Sequence, residues 1–355
     1  MKIKKSAGIL LSMALALLIT GILTLLPKQS VSHQSSFTRL FPPHFLSDWN
    51  VIDIKTSSLQ ILGVTSKNIY MGTPLYPKRL SEINYTTGKI LEREIIFDTT
   101  DTKKIAWRAL KMHIDSTGIY ITEGVTPSIL YSDLNVLKPT RLSIDSTHFI
   151  KCTPISPSSF ILKAFSPDYQ KNILIKQTRN PIRSIPMPDI LEKQVEGIFC
   201  TDGDLHYESK AKRLVYVYRY RNEFIYMDME GQPVYKGKTI DTISKAKISV
   251  AKIGSDHKKQ YILAAPPLVV NHRSRVFENK LFIHSNIRAK NENRNDFREK
   301  SVIDIYSLED ARYLFSFYIP PYQGKTMRDF IVHDRTLIVL YETHLLVFTL
   351  KSLKS

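Results

Sequence analysis

Two kinds of hydrophobic pattern divide the chain. Residues 7–26, AGILLSMALALLITGILTLL, carry no charge, and their only polar side chains are Ser12, Thr20 and Thr24. As a helix rising about 1.5 Å per residue, this run spans about 30 Å, the hydrocarbon thickness of a bilayer. Lys2, Lys4 and Lys5 precede it, and Pro27 and Lys28 end it. It exceeds the roughly 7–15 residue core of a cleavable signal peptide, and the nearest small-residue cleavage site, Ser30-Val31-Ser32, lies beyond Pro27. An uncleaved signal-anchor over residues 1–27 is therefore expected, with a cleaved signal as the alternative. The lysines in front place the N-terminus in the cytoplasm. The bulk of the chain is then expected in a periplasm or outside the cell. No later apolar run reaches the ~18 residues of a membrane span, so a single-pass protein is predicted. The run is not followed by a cysteine, which excludes a lipoprotein anchor.

Residues 28–47, with their Ser, Gln and the adjacent Pro42 and Pro43, read as a linker. Residues 48–355 read as one β domain. Its apolar positions follow a period of two, clearest in LVYVYRY at 214–220, in 336–341 and in 344–350. No convincing amphipathic helix follows residue 28; residues 189–195 form one short turn or helix at most. A unit recurs: a polar turn, an apolar-aromatic strand, a gap of about ten residues, then two further strands. Copies lie at 64–97, 113–144, 209–240, 276–319 with an insertion, and 332–350, with a fainter one at 156–177. Their first-strand anchors are Tyr70, Tyr120, Leu162, Tyr216, Phe282 and Val339, spaced on average by about 54 residues, slightly above the roughly 40–50 residue periods of propeller blades. The fold class expected is all-β, a six-bladed β-propeller preceded by one N-terminal transmembrane helix. Stacked β-sandwiches are the alternative. The last unit shows two clear strands, and the segment 49–62 is placed to supply a missing strand, closing the ring between the two ends of the chain.

Within residues 212–241, RLVYVYRYRNEFIYMDMEGQPV shows a strand, Tyr220-x-Asn222, a second strand, and Asp228-x-x-Gly231. This resembles the units of exported six-bladed propellers of the TolB-like and NHL-like kind, and the pattern extends over residues 49–350. The resemblance implies a propeller that binds ligands or partners, although some members are enzymes. A fold does not choose between these.

Composition narrows the chemistry. Hydrophobic residues make up 43% and charged residues 23%, which excludes global disorder. No Gly-x-Gly occurs, so the dinucleotide and phosphate-loop fingerprints are absent. Only Trp49 and Trp107 are present, against the tryptophan-rich WD-repeat and pyrroloquinoline-type propellers. There is no His-Glu-x-x-His and no Gly-x-Ser-x-Gly; Ser209-x-x-Lys212 and Ser244-x-x-Lys247 lack the companion elements of Ser-x-x-Lys enzymes. No catalytic residue and no cofactor is expected. Asp202, Asp204 and His206 alternate and would share one face of a strand, as cation ligands do, but three groups leave an oxygen-rich shell incomplete, and an Asp-Gly turn with solvated acids explains them equally. Cys152 and Cys200 either pair in an oxidising compartment or remain buried thiols.

Lys and Arg number 50 against 33 Asp and Glu, a net charge of +17. Arg213, Arg219 and Arg221 cluster in one unit, His272, Arg273 and Arg275 in another, and RAKNENRNDFREK at 288–300 is a charged insertion. Together they suit a cationic face for an acidic glycan or other small acidic ligand, a phospholipid surface or an acidic envelope protein; ordinary solvated loops are the alternative. Export disfavours nucleic acid. In 214–220, Val215, Val217 and Arg219 should share one strand face, and Tyr216, Tyr218 and Tyr220 the other. Arg219 and Arg221 leave the core there, and each guanidinium must reach water, a carboxylate or a ligand. The candidate ligand-binding residues are Arg219, Arg221, Asn222 and Arg273. A ligand- or protein-binding module of the cell envelope is the first functional reading. A periplasmic propeller hydrolase, lactonase or lyase using Asp202, Asp204, His206, Arg219 and Arg221 at the channel mouth is the second, and a structural subunit with an exposed apolar patch the third. Alkaline phosphatase fused after Gln34 or after Ser355 is expected to be active in intact cells; inactive fusions at both positions would refute export.

Overall fold

The computed structural model describes residues 13, 15, 36–98, 105–253 and 260–351. The apolar run 7–26 lies outside the described residues except for Met13 and Leu15, both helical and exposed. Among the described residues no helix is long and apolar enough to cross a membrane. Contacts divide the chain into residues 1–34 and 35–355, and the described strands all belong to the second unit.

That unit is nearly all β, built from antiparallel four-stranded meanders. The first comprises Gln60–Val64, Asn68–Gly72, Arg79–Asn84 and Ile90–Glu94, the second Lys111–Asp115, Gly118–Glu123, Ser128–Ser132 and Thr140–Arg141. Their first strands touch in parallel at Gly63 and Ile114, merging the two into one eight-stranded sheet. A Cβ on Gly63 would stand 1.8 Å from the Ile114 carbonyl oxygen, so only glycine permits this approach. The third meander comprises Lys151–Ser156, Ser159–Ser166, Lys171–Arg179 and Ile182–Met187, the fourth Gly203–Glu208, Arg213–Tyr218, Glu223–Met227 and Pro233–Lys238. A hairpin, Val250–Ile253 with Gln260–Leu263, precedes the fifth: Asn271–Phe277, Lys280–Ser285, Ser301–Ser307 and Tyr313–Ile319. The last joins Asp329–His333, Thr336–Leu340 and His344–Leu350 to the N-terminal strand Leu46–Asp53.

The first strands of the first and second, third and fourth, fourth and fifth, and fifth and last meanders pack against one another, the second and third meanders pack through Tyr120 and Ile129 against Phe160 and Leu162, and the first strand of the last meander returns to that of the first. Between the second and third, the Lys111 ammonium donates to the Ile150 carbonyl at 2.7 Å. This arrangement is consistent with a β-propeller. The segment 49–62 does two jobs rather than one. Residues 46–53 pair antiparallel with the C-terminal strand, Trp49 opposite Phe348 and Asp53 opposite His344, whereas residues 60–64 begin the first meander.

The repeat in the sequence is one strand out of phase with the meanders. Tyr70, Tyr120, Leu162, Tyr216, Phe282 and Val339 all lie on second strands. These are apolar on both faces because each is covered by both neighbouring meanders. Leu214 and Tyr216 pack with Ile161 and Leu174 of the third meander, while Val215 and Val217 pack with Leu281, Ile283 and Tyr306 of the fifth. The face alternation expected for 214–218 is thus observed. First strands such as KMHID, GDLHYE and NHRSRVF carry polar side chains and read as turns. Residues 189–195 are turn and bend without a helix, while the insertion 288–300 contains a helix, Arg294–Glu299, capped by the Asn293 side chain.

Residues 36–45, within the segment expected to be a linker, are held by Arg39. Its guanidinium donates to Asp304 from Nε at 2.7 Å and from Nη2 at 3.0 Å, and also to Glu292, to Ser285 Oγ at 2.8 Å and to the Ile287 carbonyl at 3.0 Å. Phe37 stacks on it at 5.0 Å. Ser316 and Tyr318 hydroxyls donate to Asp304 and Glu292 respectively. The Arg39 and Glu292 side chains are fully buried, and that of Asp304 nearly so. Removing the cation leaves two buried carboxylates uncompensated, a change that typically costs about 3–5 kcal/mol. Arg39→Ala is therefore expected to lower the melting temperature by many degrees; an unchanged melting temperature would show that the buried Arg39 ion pairs contribute nothing to stability.

Candidate functional site

Because side chains alternate along a strand, the first strands turn half of their polar groups toward one another around the ring. At the end where these strands begin, the groups form a charged network across the third, fourth and fifth meanders. Lys151 pairs with Asp204 at 2.9 Å. Asp202 sits between Lys163 at 2.6 Å and Arg219 at 3.2 Å. Lys163 also donates to the Gly203 carbonyl, and Arg219 to that of His272 at 3.3 Å. Burial opposes ionisation of Asp204, but Lys151, His206 and Arg219 together outweigh it and hold the carboxyl well below the usual carboxylate range. On the same strand His206 is pushed down to about 3 by burial, so it is neutral, and its Nε2 lies 2.7 Å from Ser274 Oγ. Lys111 is pushed down by burial and by the like charges of Lys151 and Lys163.

The fifth and last meanders continue the basic surface. Arg275 pairs with Asp329 at 2.6 Å, and Arg273 stands 3.7 Å from the same carboxylate while its Nε donates to the Arg328 carbonyl. His272 and His284 stack edge to face at 5.0 Å, and burial lowers the pKa of both, His284 to about 3.

The structure separates the sequence candidates. Arg219 and Arg273 lie at this end of the ring and are partly exposed. Arg221 does not: its side chain is fully buried, lies 3.5 Å from the Tyr218 ring centroid, pairs with Glu223 at 3.0 Å and donates to the Glu192 carbonyl. Its charge is satisfied inside the fold, so it presents no surface to a ligand. Asn222 is also buried, its amide donating to the Asp241 carbonyl. Asp228 and Gly231 form a turn: Asp228 Oδ1 accepts from the amides of Glu230 and Gln232, and Gly231 adopts φ +81°. The Asn222 and Asp-x-x-Gly elements are thus structural. Asp202, Asp204 and His206 do not converge on one point, since each is engaged by a different partner, and among the described residues no group of three or more potential metal ligands occurs. Cys152 and Cys200 are both free thiols.

Sequence reasoning missed Lys111, Lys151 and Lys163. Lys111 and Lys151 each open a first strand, the element whose polar character hid it. Lys111 and Lys151 stand nine and eleven positions before Tyr120 and Leu162, a spacing without a fixed period, and Lys163 sits inside an apolar strand, so no sequence signal marked them. An open cavity of about 750 Å³, lined by Tyr76, Arg79, Arg93 and Trp107 among others, lies apart from this network at the outer strand of the first meander.

The fold has counterparts among solved structures. A member of the DUF4221 family from Bacteroides vulgatus aligns over 90% of this chain and 99% of its own, with a TM-score of 0.52 at 11% identity. A catalytically inactive virginiamycin B lyase from Staphylococcus aureus, solved with quinupristin, aligns over 86% of this chain and 100% of its own, with a TM-score of 0.47 at 13% identity. A Bacteroides fragilis protein described as exported aligns over 90% and 99%, with a TM-score of 0.48 at 8% identity. At such identities the first likeness speaks for the fold alone. No known sequence family matches the chain, and neither does any curated protein.

Asp241 offers a test of the structural role of the Asn222 loop. Burial raises its carboxyl to about 6, against the hydrogen bonds from Thr239 and the Ile243 amide. The folded protein therefore keeps a proton that the unfolded chain releases near pH 4. Stability contributed by this group is present at low pH and falls as pH rises from about 4 to about 6, by about 2–3 kcal/mol at the most. Asp241→Asn is expected to flatten this part of the stability curve; an unaltered pH profile would show that the carboxyl is not the responsible group.

Proposed function

We propose that this chain is a membrane-anchored, extracytoplasmic binding module: a six-bladed β-propeller, each meander one blade, tethered by the apolar run 7–26. Its cationic end would take an acidic ligand, glycan or envelope protein. The observation that carries this reading is the partly exposed Lys151, Arg219 and Arg273 at one end of the first-strand ring, beside the buried Lys163, a junction richer in cations than in carboxylates. Lys2, Lys4 and Lys5 before the uncharged run support the orientation.

The enzyme alternative is less well supported. His206 and Ser274 make the contact of a base with a nucleophile, but Ser274 is only 1% exposed, so a substrate carbonyl has no approach to its hydroxyl. Asp202 and Asp204 are both occupied by lysines, and two acids fall short of the acid cluster that a channel-mouth hydrolase would need. The test is recovery of partners from solubilised membranes by the full-length protein. Arg219→Ala combined with Arg273→Ala is expected to reduce recovery about tenfold, as loss of charge-assisted contacts does, with the melting temperature within a few degrees of the parent. Undiminished recovery would refute the binding role of this end.

A further inference from the structure

The charges at this end of the ring do not balance. Lys151 pairs with Asp204, and Lys163 and Arg219 with Asp202 two residues earlier, while the Lys111 ammonium reaches the carbonyl of Ile150, the residue before Lys151. Four cations thus face two carboxylates. Lys163 is buried and committed to Asp202 and the Gly203 carbonyl. Lys151 shares Asp204, and Arg219 shares Asp202 while leaving part of its fork free. Lys111 has no carboxylate within ion-pair distance among the described residues, and its ammonium donates only to a backbone carbonyl. Like-charge crowding in a partly desolvated place is unfavourable unless a counter-anion is bound.

We infer that Lys111, Lys151 and Arg219 together bind a doubly charged phosphate group, as inorganic phosphate or as a phosphomonoester. This rests on the binding-module reading and names its ligand chemistry. A phosphate near charge −2 cancels the two-charge excess, and its oxygens accept from several donors at once. Lysines supply point charges and an arginine a planar fork, the pair of side-chain types suited to that geometry. Burial and the two neighbouring lysines already lower the proton affinity of Lys111; a bound dianion would restore it.

The full-length protein in detergent is titrated calorimetrically with inorganic phosphate, glucose 6-phosphate and malonate, and its melting temperature is followed in phosphate against sodium chloride of equal ionic strength. Vesicles containing phosphatidic acid form a further arm. The expected result is binding of both phosphates, weak or no binding of malonate, and a rise in melting temperature with phosphate but not with chloride. Stronger association with the vesicles than with glucose 6-phosphate would assign the group to a lipid headgroup, and the reverse to a soluble ligand. Lys111→Ala should weaken phosphate binding about tenfold or more, and Lys111→Arg should retain it. Equal binding of malonate, no response to phosphate, or unchanged affinity in Lys111→Ala would each overturn the assignment. Because partner recovery is tested separately with Arg219 and Arg273, intact recovery without phosphate binding would refute the phosphate site and leave the binding module standing.

Discussion

The pairing of residues 46–53 with residues 344–350 is the constraint on which the rest depends. Without Leu46–Asp53 the last meander has three strands and an open edge, and unpaired edges are exposed to mispairing with other chains. Joining the chain's ends through a ladder of backbone hydrogen bonds turns a row of meanders into a ring. Within a row the end meanders would leave an apolar face bare. In a ring every second strand is covered on both sides, which is why Ile69, Ile121, Leu162, Tyr216, Ile283 and Val339 are all nearly fully buried. Arg39 extends the same closure. It carries the chain just before Leu46 onto Asp304 and Glu292 of the fifth meander, next to the meander that the N-terminal strand completes.

Ring closure also creates the polar interior end. First strands are brought together around the ring, and alongside buried apolar residues such as Ile114, Leu205 and Phe330 they place polar side chains near one another. These polar side chains are Lys111, Lys151, Asp204, His206 and Ser274. Charges brought this close in partial burial must be paired, and the ion pairs of Lys151 with Asp204 and of Lys163 and Arg219 with Asp202 meet that demand between strands far apart in sequence. The cation excess that remains is the feature that distinguishes this end as a place for an anion.

Arg219 and Arg221 show how far a pattern can be read. Both follow the same strand, both are arginines two positions apart, and the demand that each find a partner applied to both. One carboxylate, Asp202, lies in the preceding connection and leaves Arg219 half in water. The other, Glu223, begins the next strand and draws Arg221 beneath Tyr218. Nothing in the local sequence separates these outcomes, because the difference lies in which neighbouring segment covers the guanidinium.

By itself the sequence determined the all-β character, the succession of repeated units, the two-faced apolar strands and the closure by the segment near Trp49. These follow from periodicity and side-chain type, which are local properties. It misplaced the start of each unit because first strands gain their stability from neighbours across the ring rather than from their own hydrophobicity. Only the tertiary structure decided that Lys163 meets Asp202, that Lys111 reaches the Ile150 carbonyl, and that Arg39 is buried. Those contacts join residues between about 39 and 265 positions apart, and such pairings depend on how the ring closes, which no local pattern encodes.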